Sequence, residues 1–89
     1  MEAVSRIVRI VNPTGLHARP CGAIVALARE FESQLSIRHG DAEVDGRSIL
    51  QIMTLGAGKG AELELRAEGE DATALVERLA ELVEAGFNE

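Results

Sequence analysis

The chain has 89 residues and a net charge of −6, and this acidic balance argues against nucleic acid as a partner, because phosphate backbones attract basic surfaces. Its length predicts a single domain, residues 1–89, and no apolar run approaches the roughly 20 residues that a membrane span needs. The first residues lack the basic and apolar regions of a signal peptide, and one cysteine cannot form an internal disulfide, so we expect a soluble, monomeric protein of the reducing cytoplasm.

The first third of the chain predicts a strand, a turn and a helix. Residues 4–11 are rich in valine and isoleucine, as strands are, and we place Val8 and Ile10 toward the core. Residues 12–15 have the composition of a turn. A helix is predicted over residues 18–30, because four apolar side chains share one face at helical spacing: Ile24, Leu27, Ala28 and Phe31.

The middle of the chain predicts a hairpin and a short helix. Two apolar–polar alternations flank a tight turn at residues 39–41, with Leu35 and Ile37 before it and Ala42 and Val44 after it. Ser48 begins a helix that runs to about residue 54. Three glycines within residues 56–60 end that helix, and we interpret this run as a connection, because its spacing does not match a phosphate loop.

The last third predicts one strand and one longer helix. Leu63 and Leu65 alternate with charged residues, which is the clearest strand signal in the chain. Asp71 is the predicted N-cap of the final helix, and Gly86 is its predicted stop. One apolar stripe at helical spacing marks the face toward the sheet: Leu75, Val76, Leu79, Leu82 and Val83.

The element order β-α-β-β-α-β-α places the chain in the α+β class. Strands with one apolar face need a cover, and three amphipathic helices supply it. We therefore expect a four-stranded antiparallel sheet with the helices on one face. The pattern alone does not separate this arrangement from a ferredoxin-like sheet.

His17 and Arg19 stand where the predicted turn meets the first predicted helix. If His17 is the N-cap, then Ala18, Arg19 and Pro20 are the first helical positions, and proline has no N–H. The backbone N–H groups of Ala18 and Arg19 then remain free at the positive end of the helix, which suits an anion. This arrangement predicts a phosphoryl group held on the imidazole, and the alternative is an ordinary capping or surface histidine.

Two motifs together resemble those of one family. The run Gly15–Pro20, with the sequence GLHARP, resembles the active-site signature of HPr, the histidine-containing phosphocarrier of the bacterial phosphoenolpyruvate-dependent phosphotransferase system. Residues 48–60 resemble the second signature of that family, in the family's order and separation. The similarity covers nearly the whole chain. It implies an open-faced β-sandwich with strand order 1-4-2-3, in place of the ferredoxin-like sheet.

The resemblance also implies the chemistry. His17 would take a phosphoryl group from phosphorylated enzyme I on its Nδ1 atom and pass it to an enzyme IIA component, while Arg19 would stabilise the phosphate. Such a carrier is a link in a relay rather than a stand-alone enzyme, and it needs no cofactor and no metal. A regulatory carrier, which controls nitrogen or carbon metabolism instead of sugar uptake, has the same fold and is the main alternative.

Ser48 has two compatible interpretations. With Gln51 it matches a capping box, and by resemblance it matches the family's regulatory serine, which an HPr kinase/phosphorylase modifies. The helix that Ser48 begins carries more apolar side chains than a short helix can bury. The resemblance implies that Ile49, Leu50 and Met53 form a docking surface for partner proteins, while the other apolar residues of this helix join the core.

Cys21 stands where the family commonly has alanine. A small, partly buried residue is the simplest interpretation, and a thiol activated by the first helical turn is the alternative. His17 and Cys21, at positions i and i+4, supply only two of the three or four ligands that zinc needs, so we expect no metal site.

Overall fold

The computed structural model describes residues 3–89, so Met1 and Glu2, the first two residues of the predicted domain, lie outside the described residues. Within residues 3–89 the elements follow in the predicted order: β1 (Ala3–Arg9), α1 (Ala18–Ala28), β2 (Gln34–His39), β3 (Ala42–Asp45), α2 (Ile49–Met53), β4 (Glu62–Glu68), α3 (Ala72–Glu84) and a 3₁₀ turn (Gly86–Asn88). None of these helices has the length and apolar character that crossing a membrane requires.

The four strands form one antiparallel sheet in the order β1-β4-β2-β3. β4 pairs with β1 on one side and with β2 on the other, and β3 pairs only with β2. α3 packs on β1 and β4, and α1 packs against both other helices. This strand order confirms the open-faced β-sandwich and excludes the alternative sheet that the sequence pattern left open.

The core is aliphatic, since the only aromatic side chains of the sequence, Phe31 and Phe87, are half-buried at its margin. The predicted inward face of the sheet is confirmed by six buried residues: Val8, Ile10, Leu35, Ile37, Leu63 and Leu65. On α1, Ile24 and Ala28 are buried as predicted, whereas Leu27 is only half-buried. Val25 lies outside the predicted stripe and is buried, because a helix packed against two others covers a broader face.

α1 ends at Ala28, two residues before the predicted end. The N–H groups of Glu30 and Phe31 donate to the carbonyls three residues earlier, at 3.0 and 3.1 Å, so the last turn tightens into 3₁₀ geometry. β1 likewise stops at Arg9 rather than at residue 11, although Ile10 still exchanges two backbone hydrogen bonds with the segment before β4.

Asp71 is the N-cap residue of α3, as predicted, but its side chain accepts no hydrogen bond from that helix. Its carboxylate instead accepts the backbone N–H groups of Glu32 and Ser33, each at 2.9 Å, and the Ser33 hydroxyl. These bonds, the Ser33 hydroxyl first, lower the pKa of Asp71. Asp71 therefore connects the turn before β2 to the start of α3. Local sequence rules cannot identify this turn as the partner of Asp71.

The remaining fold predictions concern the hairpin and the end of α3. The turn between β2 and β3 contains Gly40 at φ 61° and Asp41, so His39 is the last residue of β2 rather than part of the turn. Four residues of the predicted α3 stripe are buried and Leu82 is half-buried. Gly86, at φ 66°, follows the C-cap of α3 and confirms the predicted stop.

Candidate functional site

The loop between β1 and α1 folds back on itself through the predicted turn. The Gly15 N–H donates to the Asn12 carbonyl at 3.2 Å, and Gly15 has a φ of 65°, which glycine adopts without strain. Leu16 is buried, and its N–H donates to the Ala57 carbonyl at 3.0 Å. The loop after α2 therefore supports the segment that leads to His17.

His17 is the N-cap residue of α1, as predicted. Its backbone is extended, and its carbonyl accepts the Cys21 N–H at 3.2 Å, which is the first bond of the helix. The backbone N–H groups of Ala18 and Arg19 have no acceptor among residues 3–89. The imidazole is 42% exposed, so it is accessible to another protein beside two unpaired donors.

Arg19 is exposed in the first turn of α1, and its side chain makes no hydrogen bond or ion pair with the part of the chain that the structure describes. The guanidinium is therefore available to an anion. Pro20 is buried at the third helical position, where its missing N–H leaves no unpaired donor. His17 at the N-cap and Ala18, Arg19 and Pro20 as the first three helical residues are therefore the arrangement that the sequence predicted.

Glu89 is a site residue that the sequence analysis missed. Its Oε2 atom lies 2.9 Å from Nε2 of His17, and its Oε1 atom accepts hydrogen bonds from Asn12 Nδ2 at 3.1 Å and Thr14 Oγ1 at 3.0 Å. The bond to His17 is the largest effect on the pKa of Glu89 and lowers it. Burial opposes this shift, and the bonds to Thr14 and Asn12 lower the pKa further. The carboxylate is therefore ionised at neutral pH and can only accept hydrogen bonds.

A left-handed turn after α3 brings Glu89 to the site. Gly86, Phe87 and Asn88 all have positive φ, at 66°, 57° and 61°. Phe87 packs against the margin of the core, and the Glu89 N–H donates to the Gly86 carbonyl at 3.1 Å. His17 and Glu89 are more than 70 positions apart, and no sequence rule predicts that the turn after α3 lies next to the loop before α1. The only local signal of this turn was the predicted helix stop at Gly86.

Ser48 caps α2, as predicted: its Oγ accepts the Gln51 N–H at 3.2 Å. The reciprocal half of the capping box is wrong, because the Gln51 side chain accepts the Asp45 N–H at 3.0 Å rather than the Ser48 N–H. The Ser48 N–H donates to the Asp45 carbonyl instead. Ser48 is half-buried at the start of a helix whose outer face is apolar.

The apolar residues of the α2 segment divide into two groups. Ile52 and Leu55 are buried in the core, as the surplus of apolar residues required. Ile49 and Met53 are each 40% exposed and Leu50 is 78% exposed. We call these three side chains the α2 patch. α2 packs against α1, the helix that His17 begins.

Cys21 is fully buried, and its Sγ lies 3.6 Å from the Leu16 carbonyl. Burial raises the pKa of the Cys21 thiol, so the activated thiol that the helix position suggested is wrong. Metal binding and disulfide exchange both need the thiolate, which this environment disfavours. Within residues 3–89, no three histidine, cysteine or acidic side chains cluster as metal ligands would.

Comparison with known proteins agrees with the fold. The family described as the HPr component phosphorylation site of the phosphotransferase system matches residues 4–85. The phosphocarrier protein HPr of Treponema pallidum is 37% identical over 86 residues, which cover 97% of this chain and 98% of the relative.

Two solved structures extend this comparison. HPr from Thermoanaerobacter tengcongensis superposes with a TM-score of 0.89 at 38% identity, covering 100% of this chain and 98% of that one. The Bacillus subtilis catabolite repression protein Crh superposes with a TM-score of 0.76 at 34% identity, covering 89% and 91%. Membership implies interaction with proteins of the phosphotransferase system, and the chain belongs to the HPr family of phosphocarrier proteins.

Proposed function

We propose that this chain takes a phosphoryl group from phosphorylated enzyme I onto His17 and passes it to an enzyme IIA component, as one cytoplasmic domain spanning residues 1–89. The observation that carries the proposal is the surroundings of His17. An exposed imidazole stands at the start of α1, beside the unpaired N–H groups of Ala18 and Arg19. A phosphate on the ring would find these donors and the positive end of the helix.

Arg19 is the proposed partner of the transferred phosphate. Its guanidinium is exposed and engages no other side chain among residues 3–89, so binding an anion breaks no existing contact. A planar guanidinium can donate two parallel hydrogen bonds to phosphate oxygens. The chain only receives and gives the group, so it need not contain a base, a metal or a nucleotide pocket.

The α2 patch is the proposed docking surface. Ile49, Leu50 and Met53 are exposed on a helix that packs against α1, so a protein that covers them would approach His17. Apolar side chains at the centre of an interface supply much of its affinity. Phosphorylation of Ser48 by an HPr kinase would add about −1.5 to −2 charges at the edge of this patch, and we propose it as the regulatory modification.

A regulatory carrier is the second candidate. The similarity to Crh, a protein described by its role in catabolite repression, favours it, because that likeness extends over 89% of the chain. The same His17 chemistry would then report the phosphorylation state of the relay instead of feeding sugar uptake. A reconstituted relay that offers several IIA domains separates the two roles by the acceptor that is phosphorylated.

Incubation with phosphoenolpyruvate and enzyme I tests the proposal. The protein should acquire an acid-labile phosphate that His17→Ala abolishes with little loss of stability, since the imidazole is partly exposed. His39→Ala is the matched control, because it removes the only other histidine. Undiminished labelling of His17→Ala, or loss of the label from His39→Ala alone, would contradict the assignment.

A further inference from the structure

The contact between Glu89 and His17 joins the residue after the 3₁₀ turn to the proposed phosphoryl acceptor. One carboxylate oxygen of Glu89 meets His17 Nε2 at 2.9 Å, and the other is held by Asn12 and Thr14. With both oxygens engaged, the carboxylate can neither rotate nor withdraw without breaking several hydrogen bonds. We call this set of hydrogen bonds, from Asn12, Thr14 and His17 to Glu89, the Glu89 clamp. The Glu89 side chain is 19% exposed, so the clamp is partly shielded from water.

Asn12 determines how the clamp is oriented. Its side chain is buried, and its Nδ2 atom also donates to the Gly15 carbonyl at 2.9 Å. A carbonyl can only accept, so the amide nitrogen, and not the oxygen, must point toward Gly15 and toward Glu89. The hydrogen bond to the Gly15 carbonyl, in the turn before His17, therefore fixes the Asn12 amide so that its nitrogen also donates to Glu89.

The protonation of the imidazole follows from the state of its partner. The Glu89 carboxylate is ionised at neutral pH and has no proton to give. A hydrogen bond at 2.9 Å therefore requires the proton to be on Nε2 of His17. In a neutral imidazole the lone pair is then on Nδ1, which makes no hydrogen bond to any of residues 3–89.

We propose that Glu89 is a positioning residue for phosphoryl transfer: it keeps the proton on Nε2 of His17 and so presents the Nδ1 lone pair to the incoming phosphorus. The inference rests on the proposed function and adds a residue to that site. It resembles in principle the carboxylate that orients a catalytic histidine in hydrolases.

The transfer step balances without a base. The Nδ1 lone pair forms a bond to phosphorus, the bond from phosphorus to the donor atom breaks, and its electron pair stays on the donor. The Nε2 proton remains in place, so the His17 ring gains positive charge as the bond forms. The ionised Glu89 stabilises that charge, which makes its interaction stronger in the transition state than in the free protein.

The backbone conformation of the two residues before Glu89 supports the inference that the position of Glu89 has a function. Phe87 and Asn88 are non-glycine residues with positive φ, a conformation that persists only when surrounding contacts enforce it. Phe87 packs on the core margin, and the Asn88 N–H donates to the Ala85 carbonyl at 3.3 Å. The outcome of this strained turn is the contact between Glu89 and His17.

Nitrogen NMR of the free protein tests the tautomer without any phosphoryl donor. At about pH 8 an ordinary imidazole is neutral, so the tautomer can be measured directly. The wild type should show His17 with its proton on Nε2. In Glu89→Ala the Nε2 proton should lose its acceptor, and His17 should move toward the tautomer mixture of a free imidazole. Glu89→Gln should lose the tautomer as well, because Asn12 and Thr14 both donate to its one amide oxygen, which turns its NH2 group toward Nε2.

Phosphorylation by enzyme I supplies the second readout. Glu89→Ala should slow transfer onto His17 by about tenfold, the effect of one charged hydrogen bond at a partly exposed site, and Glu89→Gln should be no faster, because its NH2 group offers no acceptor for the Nε2 proton. Glu77→Ala is the matched control, because it removes the same charge from an exposed position on α3 that has no ion pair within residues 3–89. This control should transfer at the wild-type rate.

A wild-type tautomer and a wild-type rate in Glu89→Ala would overturn the inference, and so would equal slowing by Glu77→Ala. Failure of the proposed function looks different. The wild type would then accept no phosphate on His17, while the NMR difference between wild type and Glu89→Ala would remain as a structural contact without a role in transfer.

Discussion

The carbonyl oxygen of Ala57 lies so close to Gly15 that a Cβ atom built on Gly15 would stand 2.6 Å from it. The neighbouring residue, Leu16, donates its N–H to the same carbonyl at 3.0 Å. The loop before His17 and the loop after α2 are therefore in direct backbone contact. These two loops lead into α1, which His17 begins, and out of α2, which carries the α2 patch.

Gly15→Ala should destabilise the protein. Its φ of 65° alone costs an L-residue roughly 1–2 kcal/mol, and the Ala57 carbonyl must also move. Gly22→Ala in α1 is the control, because a Cβ there meets nothing within 4 Å and should stabilise the helix by about 0.5–1 kcal/mol. Urea unfolding of the two variants should give changes of opposite sign, and equal stabilities would contradict both the left-handed conformation of Gly15 and its close approach to Ala57.

Arg19→Ala should slow onward transfer by roughly ten- to a hundredfold, since it removes a charge-assisted hydrogen bond to the phosphoryl group in the transition state. Arg19→Lys should slow it less, because lysine keeps the charge and loses only the planar fork. The same pair of changes at Arg29, an exposed arginine that follows α1, should leave the rate unchanged. Single-turnover transfer to a IIA domain measures all four variants, and equal rates throughout would remove Arg19 from the mechanism.

Ser48→Asp should preserve the fold and weaken docking. Aspartate can accept the same Gln51 N–H, and its charge suits a helix N-terminus, so the melting temperature should be unchanged or slightly higher. The charge stands beside Ile49 and Leu50, which enzyme I must desolvate in order to reach His17. Phosphorylation of His17 should therefore be slower at low enzyme I concentration.

Ser48→Ala should show the reverse behaviour. Loss of the cap should cost about 0.5–2 kcal/mol of stability, while transfer stays nearly normal. A titration of enzyme I against both variants and the wild type, with a melting curve for each, measures docking and stability separately. If Ser48→Asp is phosphorylated at the wild-type rate throughout the titration, the α2 patch is not where enzyme I binds.

Asp71 should make stability depend on pH in the acid range. Hydrogen bonds from Ser33 and Glu32 lower its pKa in the folded state, so its stabilising effect is present above the unfolded pKa of about 3.9 and is lost as the pH falls through the lower folded pKa. Asp71→Asn should be less stable than the wild type at neutral pH, and the gap should narrow with acid. Asp41→Asn, in the exposed β2–β3 turn, should track the wild type in urea unfolding at each pH.

Local patterns predicted much of this molecule because they are set by neighbours along the chain. The alternation around Leu63 and Leu65 specifies a strand with one buried face, and the run from His17 to Pro20 specifies a helix start with unpaired donors. Local patterns do not predict strand order, because several arrangements of the same four strands bury the same apolar faces. Here the resemblance to a family, and not the pattern, selected the correct sheet.

Two of the missed contacts join distant segments. Asp71 matches a capping residue, yet its carboxylate binds the turn at Glu32 and Ser33, which only the packed fold brings within reach. Glu89 reaches His17 through a left-handed turn at Phe87 and Asn88 that has no local signature. Propensity and spacing describe single elements, whereas these side chains are placed by the way elements meet.

Locating the phosphate in the protein after incubation with phosphoenolpyruvate and enzyme I tests the central claim most directly. Phosphorus–nitrogen NMR of the labelled chain should show one phosphate on Nδ1 of His17, with the proton still on Nε2. Phosphate on His39, on a serine, or on no histidine at all would contradict the account.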